Sequence, residues 1–118
     1  MNTRHNRQIG QWGETRAVDY LISGGCEVIG RNIRTPYGEI DIVARRYDIT
    51  IFVEVKTRTS DSFGLPEESV NLRKLQHMLA AAAHYAAEHH IDHWQLDVIS
   101  VEGKPGSTPV ITHFENVT

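Results

Sequence analysis

The sequence predicts a single α/β domain, a mixed β-sheet flanked by helices in the order α-β-β-β-α-β-β. Three observations carry this. The chain has 118 residues, 40% apolar and 23% charged, which is one ordinary domain with enough apolar surface for its own core. Two stretches repeat their apolar residues with a helical period, and three consecutive stretches between them alternate with a period of two. No repeat, low-complexity segment or long linker interrupts residues 1–118.

The first helix covers residues 9–23, where Trp12, Ala17, Val18 and Leu21 fall near one face and Gly24-Gly25 supplies a stop. Residues 26–34 form a strand that ends at Thr35-Pro36-Tyr37-Gly38, a turn composition. Residues 39–45 and 50–57 alternate and are rich in β-branched side chains. The few residues around Arg46-Tyr47-Asp48-Ile49 join them as an antiparallel hairpin. A loop from Arg58 to Glu68, with Gly64 and Pro66, serves as a crossover or as a flap over a substrate. The second helix spans 71–90, with Asn71 as N-cap and Val70 and Leu75 at staple spacing. Its apolar stripe is Leu72, Leu75, Leu79, Ala82, Ala83 and Ala86. Residues 94–101 form a further strand, and after a Gly103-Lys104-Pro105-Gly106 turn an edge strand follows at 109–115.

Several function classes drop out on composition. No apolar run approaches the roughly 18 residues of a membrane span, and no apolar stretch follows the first seven residues, so a cytoplasmic protein without a membrane partner is expected. One cysteine, Cys26, excludes an internal disulfide and a Cys-rich zinc site. The net charge of −3 argues against a surface that is basic all over. The charge is uneven, however: residues 1–58 carry nine basic and seven acidic side chains, residues 59–118 three and eight. His89, His90 and His93 with Asp92 have metal-like spacing, but they read better as the polar end of a helix, where cationic side chains suit the dipole.

The hairpin carries the chemistry. Residues two apart on a strand share a face, which sets Glu39, Asp41 and Val43 against Ile40, Ile42 and Ala44. On its partner strand Phe52, Glu54 and Lys56 oppose Ile51, Val53 and Val55. A two-residue turn at Tyr47-Asp48 gives cross-strand partners a residue sum of 95, which puts Asp41 opposite Glu54 with Lys56 one step along the same face. Two carboxylates about 4 Å apart repel by on the order of 4 kcal/mol at an effective dielectric near 20. A sheet keeps such a pair when a cation neutralises it, either Lys56 or a hard divalent ion that takes oxygen ligands.

The stretch Gly38-Glu39-Ile40-Asp41-Ile42-Val43-Ala44, followed by Phe52-Val53-Glu54-Val55-Lys56-Thr57-Arg58, resembles the PD-(D/E)xK nuclease superfamily. Together with Gly10-x-x-Gly13-Glu14-x-x-Ala17 upstream and Gln95-Leu96-Asp97-Val98 downstream, it most resembles the YraN-like family of predicted endonucleases, whose core is similar to archaeal Holliday-junction resolvases. The resemblance covers roughly residues 8–102. It implies a restriction-endonuclease-like core and Mg²⁺- or Mn²⁺-dependent hydrolysis of DNA, branched or single-stranded. Asp41, Glu54 and Glu14 would be the metal ligands and Lys56 the lysine beside the attacking water. Arg58, Arg45, Arg46 and Lys74 are candidates for phosphate contacts, and a homodimer would suit two-strand cleavage. The chain departs from the pattern at Ile40, where the superfamily's nickname has proline, and at Gln95-Leu96, where the family has an arginine and an aromatic residue. Two rivals remain open: a nucleic-acid-binding module that does not turn over, and an assembly factor whose acids form a structural network.

Overall fold

In the computed structural model, which describes residues 3–59 and 71–118, the alternation along the middle strands sets the layering. The elements are α1 (Thr3–Ser23), β1 (Glu27–Thr35), β2 (Gly38–Arg46), β3 (Ile49–Arg58), α2 (Leu72–Glu88), β4 (Trp94–Glu102) and β5 (Val110–Phe114). The strands form one sheet in the order β1-β2-β3-β4-β5. Neighbours pair antiparallel except β3 and β4, which are parallel, as a return through a crossover helix requires. The expected fold class and element order are therefore present. Among the described residues no helix is long and apolar enough to cross a membrane.

Each helix covers one face. Ala17 and Leu21 of α1 pack on Ile42, Ala44, Ile51, Val53, Val55, Ile99 and Val101, with Trp12 and Val18 at the margin. Ala81, Ala82 and Ala86 of α2 pack on Val43, Phe52 and Leu96. Phe52 is the largest fully buried side chain and meets the Tyr85 and Trp94 rings edge-on, at centroid distances of 5.6 and 5.5 Å.

Three expectations are corrected. The first helix begins at Thr3 rather than residue 9, because residues 4–8 are exposed and polar and carry no apolar period. The stripe of α2 is rotated: Leu72 is 71% exposed and Ala83 is exposed, while Ala81 is buried. A run of four alanines leaves the facing side undetermined, and the half-buried Leu75, Met78 and Tyr85 settle it. Ile40 packs with the α2 cluster rather than with Ile42 on the α1 side, so the alternation of β2 breaks at Asp41. The Val70 partner of the staple and most of the 58–68 loop lie outside the described residues; the Asn71 cap is present, its Oδ1 accepting from the Lys74 N–H at 2.8 Å.

What positions α1 is Gly13. A Cβ there would overlap Thr57 Oγ1 and come within 2.8 Å of its Cβ and Cγ2, so the helix lies against β3 only because residue 13 has no side chain. Gly10, one turn earlier, has nothing within 4 Å of that position. Gly13→Ala should therefore cost about 2 kcal/mol through overpacking. Gly10→Ala should instead stabilise by about 0.5–1 kcal/mol through helix propensity. Urea titration of both variants checks this, and equal effects would contradict the Gly13–Thr57 contact.

Candidate functional site

The site forms where a ladder stops. β2 and β3 pair from Arg46↔Ile49 to Ile42↔Val53, each pair summing to 95 as the two-residue turn requires. Beyond that pair β2 continues on β1 alone and β3 on β4 alone. Asp41 therefore stands one step past the last pair instead of inside the ladder. A β3 N–H facing the gap needs a new acceptor. Asp41 provides it, its Oδ2 accepting from the Val55 N–H at 2.8 Å.

Glu54 follows on β3, with Oε2 3.4 Å from Lys56 Nζ and 3.5 Å from Lys74 Nζ. Lys74 comes from the first turn of α2, where a cation is otherwise mildly unfavourable; its proximity to Glu54 accounts for its presence. Glu14 enters from α1, directly after Gly13. Arg31 of β1 holds Glu14 Oε1 at 3.5 Å and donates to Thr15 Oγ1 at 3.3 Å. Asn32, in the left-handed region at φ 53°, stands beside it. With its amide nitrogen turned inward, it donates to Glu14 at 3.2 Å and to Glu39 Oε1 at 3.1 Å.

Glu14, Asp41, Glu54 and Lys56 line one cleft of about 600 Å³ on the α1 side, with Gly10 and Thr59 at its rim. Burial, then the Glu54 charge, raise the Asp41 carboxyl from its ordinary 3.8 to about 7, against the pull of the Val55 N–H. Burial also raises Glu14, although Arg31 opposes it. Lys56 is lowered by burial and by Lys74. Lys74 is raised, because Lys56 and the Glu54 and Asp41 carboxylates outweigh its burial. The site thus crowds carboxylates into partly dry space with too little positive charge to ionise Asp41 fully near neutrality. Its donors are all oxygens, the set a hard divalent cation takes, and Asp41, Glu54 and Glu14 could hold one.

Of the other candidates, Arg58 stands two residues beyond Lys56 on β3, and Arg45 and Arg46 lie apart from the cluster. Arg58 ends β3 and its carbonyl accepts from Gly103 N at 2.9 Å. Arg45 pairs with Glu27 at 2.7 Å and Arg46 lies over the Tyr47 ring. These two are four and five residues beyond Asp41, about 13–17 Å along the strand. His89 caps α2 with its ring stacked on Tyr85 at 3.9 Å, so it and His93 share no helical face.

A second polar cluster sits on β4 and β5. Asp97 is fully buried and accepts from Gln95 Nε2 at 2.9 Å, Asn116 N at 2.9 Å and His113 Nε2 at 2.7 Å. His113 Nδ1 meets Tyr20 Oη at 3.0 Å. Asp97, His113 and Glu115 bring ligand atoms within 4.8 Å of one another, a group that could hold a metal ion. Gln95, standing where the family pattern has arginine, serves Asp97 as a neutral donor. Sequence reasoning missed His113, Asn32 and Glu39; the period-two spacing of Ile111 and His113 along β5, with Glu115 just past its end, was the available signal for the first.

A model of the uncharacterised protein family UPF0102 matches residues 13–101, a span that includes Glu14, Asp41, Glu54, Lys56 and Lys74 and stops before His113. A UPF0102 protein of Syntrophotalea carbinolica is 45% identical over 114 residues, 95% of this chain and 92% of that protein. One of Caldicellulosiruptor bescii is 40% identical over 109 residues, covering 88% and 92%. One of Clostridioides difficile is 39% identical over 99 residues, covering 82% and 87%. The solved structure of Pyrococcus furiosus SfsA in complex with Ca²⁺ aligns over 93% of this chain and 63% of that one, at a TM-score of 0.39 and 13% identity.

The raised Asp41 carboxyl makes stability depend on pH. Folding favours its protonated form, so its contribution is complete below pH 3.8 and is lost as pH rises through about 7. In metal-free buffer the wild type should lose about 3 kcal/mol relative to Asp41→Asn between pH 4.5 and pH 8. Urea titrations at the two pH values check this, and parallel curves would contradict it. Calorimetry should show millimolar Mn²⁺ binding to the wild type and none to Asp41→Asn.

Proposed function

The chain belongs to the UPF0102 family, and from the arrangement of its carboxylates we propose that it is a divalent-metal-dependent DNA endonuclease of the PD-(D/E)xK type. The observation that carries this is the convergence of Asp41, Glu54, Glu14 and Lys56 at the one place where β2 and β3 part. The open Val55 N–H accounts for Asp41 but not for Glu54 and Glu14 beside it, whereas phosphodiester hydrolysis uses all three carboxylates.

Asp41 and Glu54 would hold Mg²⁺ or Mn²⁺, with Glu14 closing the set from α1. The bound ion supplies a water of lowered pKa and a counter-charge for the leaving oxygen. Lys56 Nζ, kept in place by Glu54, orients the attacking water and places positive charge against the phosphoryl oxygens as their charge grows. Its lowered pKa, caused by burial and Lys74, suits an amine that also accepts a proton. Arg31 and Asn32 fix Glu14 so that it needs no reorganisation when substrate arrives. Lys74 and Arg58 flank the scissile phosphate, and Arg45 and Arg46 meet a more distant one. The small, uneven basic surface favours short contacts with branched or single-stranded DNA over wrapping a long duplex. A homodimer would bring two such sites to two strands.

Lys56→Ala should reduce Mn²⁺-dependent cleavage at least about 100-fold while stability stays within about 1 kcal/mol. The assay is a panel of labelled single-stranded, flapped and four-way DNA, paired with urea titration. Cleavage by this variant at the wild-type rate would overturn the assignment. DNA binding that survives Asp41→Asn, with no cleavage by the wild type, would replace it with a non-catalytic binding module.

A further inference from the structure

Glu54 has a second cleft beside it. This one, about 510 Å³, opens on the α2 side of the sheet and within the size range of small-ligand sites, about 300–1,000 Å³. Tyr37 lines it from the β1–β2 turn and Glu39 from the start of β2, and Arg73, Lys74 and His77 line it from the beginning of α2. An aromatic ring on one wall and cations on the other is the pairing that holds an unpaired nucleotide, with stacking for the base and charge for the phosphate.

Tyr37 is built to stand out. It is 53% exposed, and its turn is closed without help from its side chain. Thr35 Oγ1 accepts from the Tyr37 N–H at 3.1 Å and donates to the Gly38 carbonyl at 2.7 Å. Its ring meets His84 at 5.9 Å. Across the cleft Arg73 is exposed and makes no ion pair among the described residues, and Lys74 reaches Glu54. Glu39, fixed by Asn32, puts negative charge at the Tyr37 wall, which assigns the base to that side and the phosphate to the α2 side.

The two clefts share Glu54, one lined by α1 residues and the other by α2 residues. A strand that occupies both passes from the α1 side to the α2 side beside the carboxylates. A single strand can do this within a nucleotide or two, whereas a stacked duplex cannot. We propose that the α2-side cleft is a subsite for one unpaired nucleotide next to the scissile phosphate, its base stacked on Tyr37 and its phosphate held by Arg73 and Lys74. The position relative to the scissile phosphate rests on the nuclease reading; the binding itself does not.

The test is fluorescence anisotropy in Ca²⁺ buffer with a labelled oligothymidylate, an oligouridylate and a blunt DNA duplex. The wild type should prefer the single strand. Tyr37→Ala should weaken oligothymidylate binding about 5- to 100-fold and leave the duplex unaffected, and Tyr37→Trp should retain binding. Arg73→Ala should weaken binding and reduce its log–log salt slope by about one. Oligouridylate bound as tightly as oligothymidylate would support a subsite open to RNA; weaker binding would support one restricted to DNA. Unchanged oligothymidylate binding by Tyr37→Ala, or equal loss on single strand and duplex, would overturn the subsite and leave the nuclease reading standing. A wild type that binds none of the three would overturn the subsite, while cleavage of flapped or four-way DNA decides the nuclease reading separately.

Discussion

The hydrogen bond from the Val55 N–H to Asp41 is the interaction on which the candidate site depends. It turns the end of a strand ladder into a place for a carboxylate. Without it the parting of β2 and β3 would leave a half-buried donor without a partner, at a cost of about 1–3 kcal/mol. With it, Asp41 is drawn into the gap and held near Glu54, where its charge is least welcome. The cost of crowding is then spread over Lys56, Lys74, Arg31 and Asn32, each held by a different contact.

Those contacts draw on all of α1, β1, β2, β3 and α2, and three of these elements deliver their side chains for a local reason. Gly13 lets α1 approach Thr57 and so delivers Glu14. The positive φ of Asn32 aims an amide between two carboxylates from a strand whose side chains otherwise alternate. Asn71 caps α2 at the turn that presents Lys74 to Glu54. The site is thus a meeting of strand ends and helix starts, where backbone groups lack ladder partners and side chains take their place.

Much of this was legible in the residue order. Alternation over Ile42–Ala44 and Ile51–Lys56, with a two-residue turn, was enough to derive the register, but Asp41 meets Glu54 past the end of that ladder and not as the cross-strand pair the pattern predicts. Periodicity was enough for both helices, though not for the polar turn at residues 4–8. The remainder depends on geometry that no short-range pattern encodes. Ile40 changes face because the ladder ends beside it, and a sequence does not mark where pairing ends. Ala83 and Ala81 are equivalent in hydropathy, so their opposite burial is decided by neighbours far along the chain. The Asp97–His113 pair joins two strands across 16 residues, and Asn32 acts through a backbone angle that its neighbours do not announce.

The sheet order also has a meaning in time. β1, β2 and β3 join through short turns, whereas the parallel partnership of Thr50 with Trp94 must close a long loop through α2. Loop closure costs more entropy as the span grows, so the local pairings have the kinetic advantage. Asp41, Glu54 and Lys56 all sit on the local hairpin, while Lys74 arrives with the crossover. Local pairing therefore brings Asp41 and Glu54 together ahead of the crossover that delivers Lys74, so part of the positive charge that answers them belongs to the slower-closing contact.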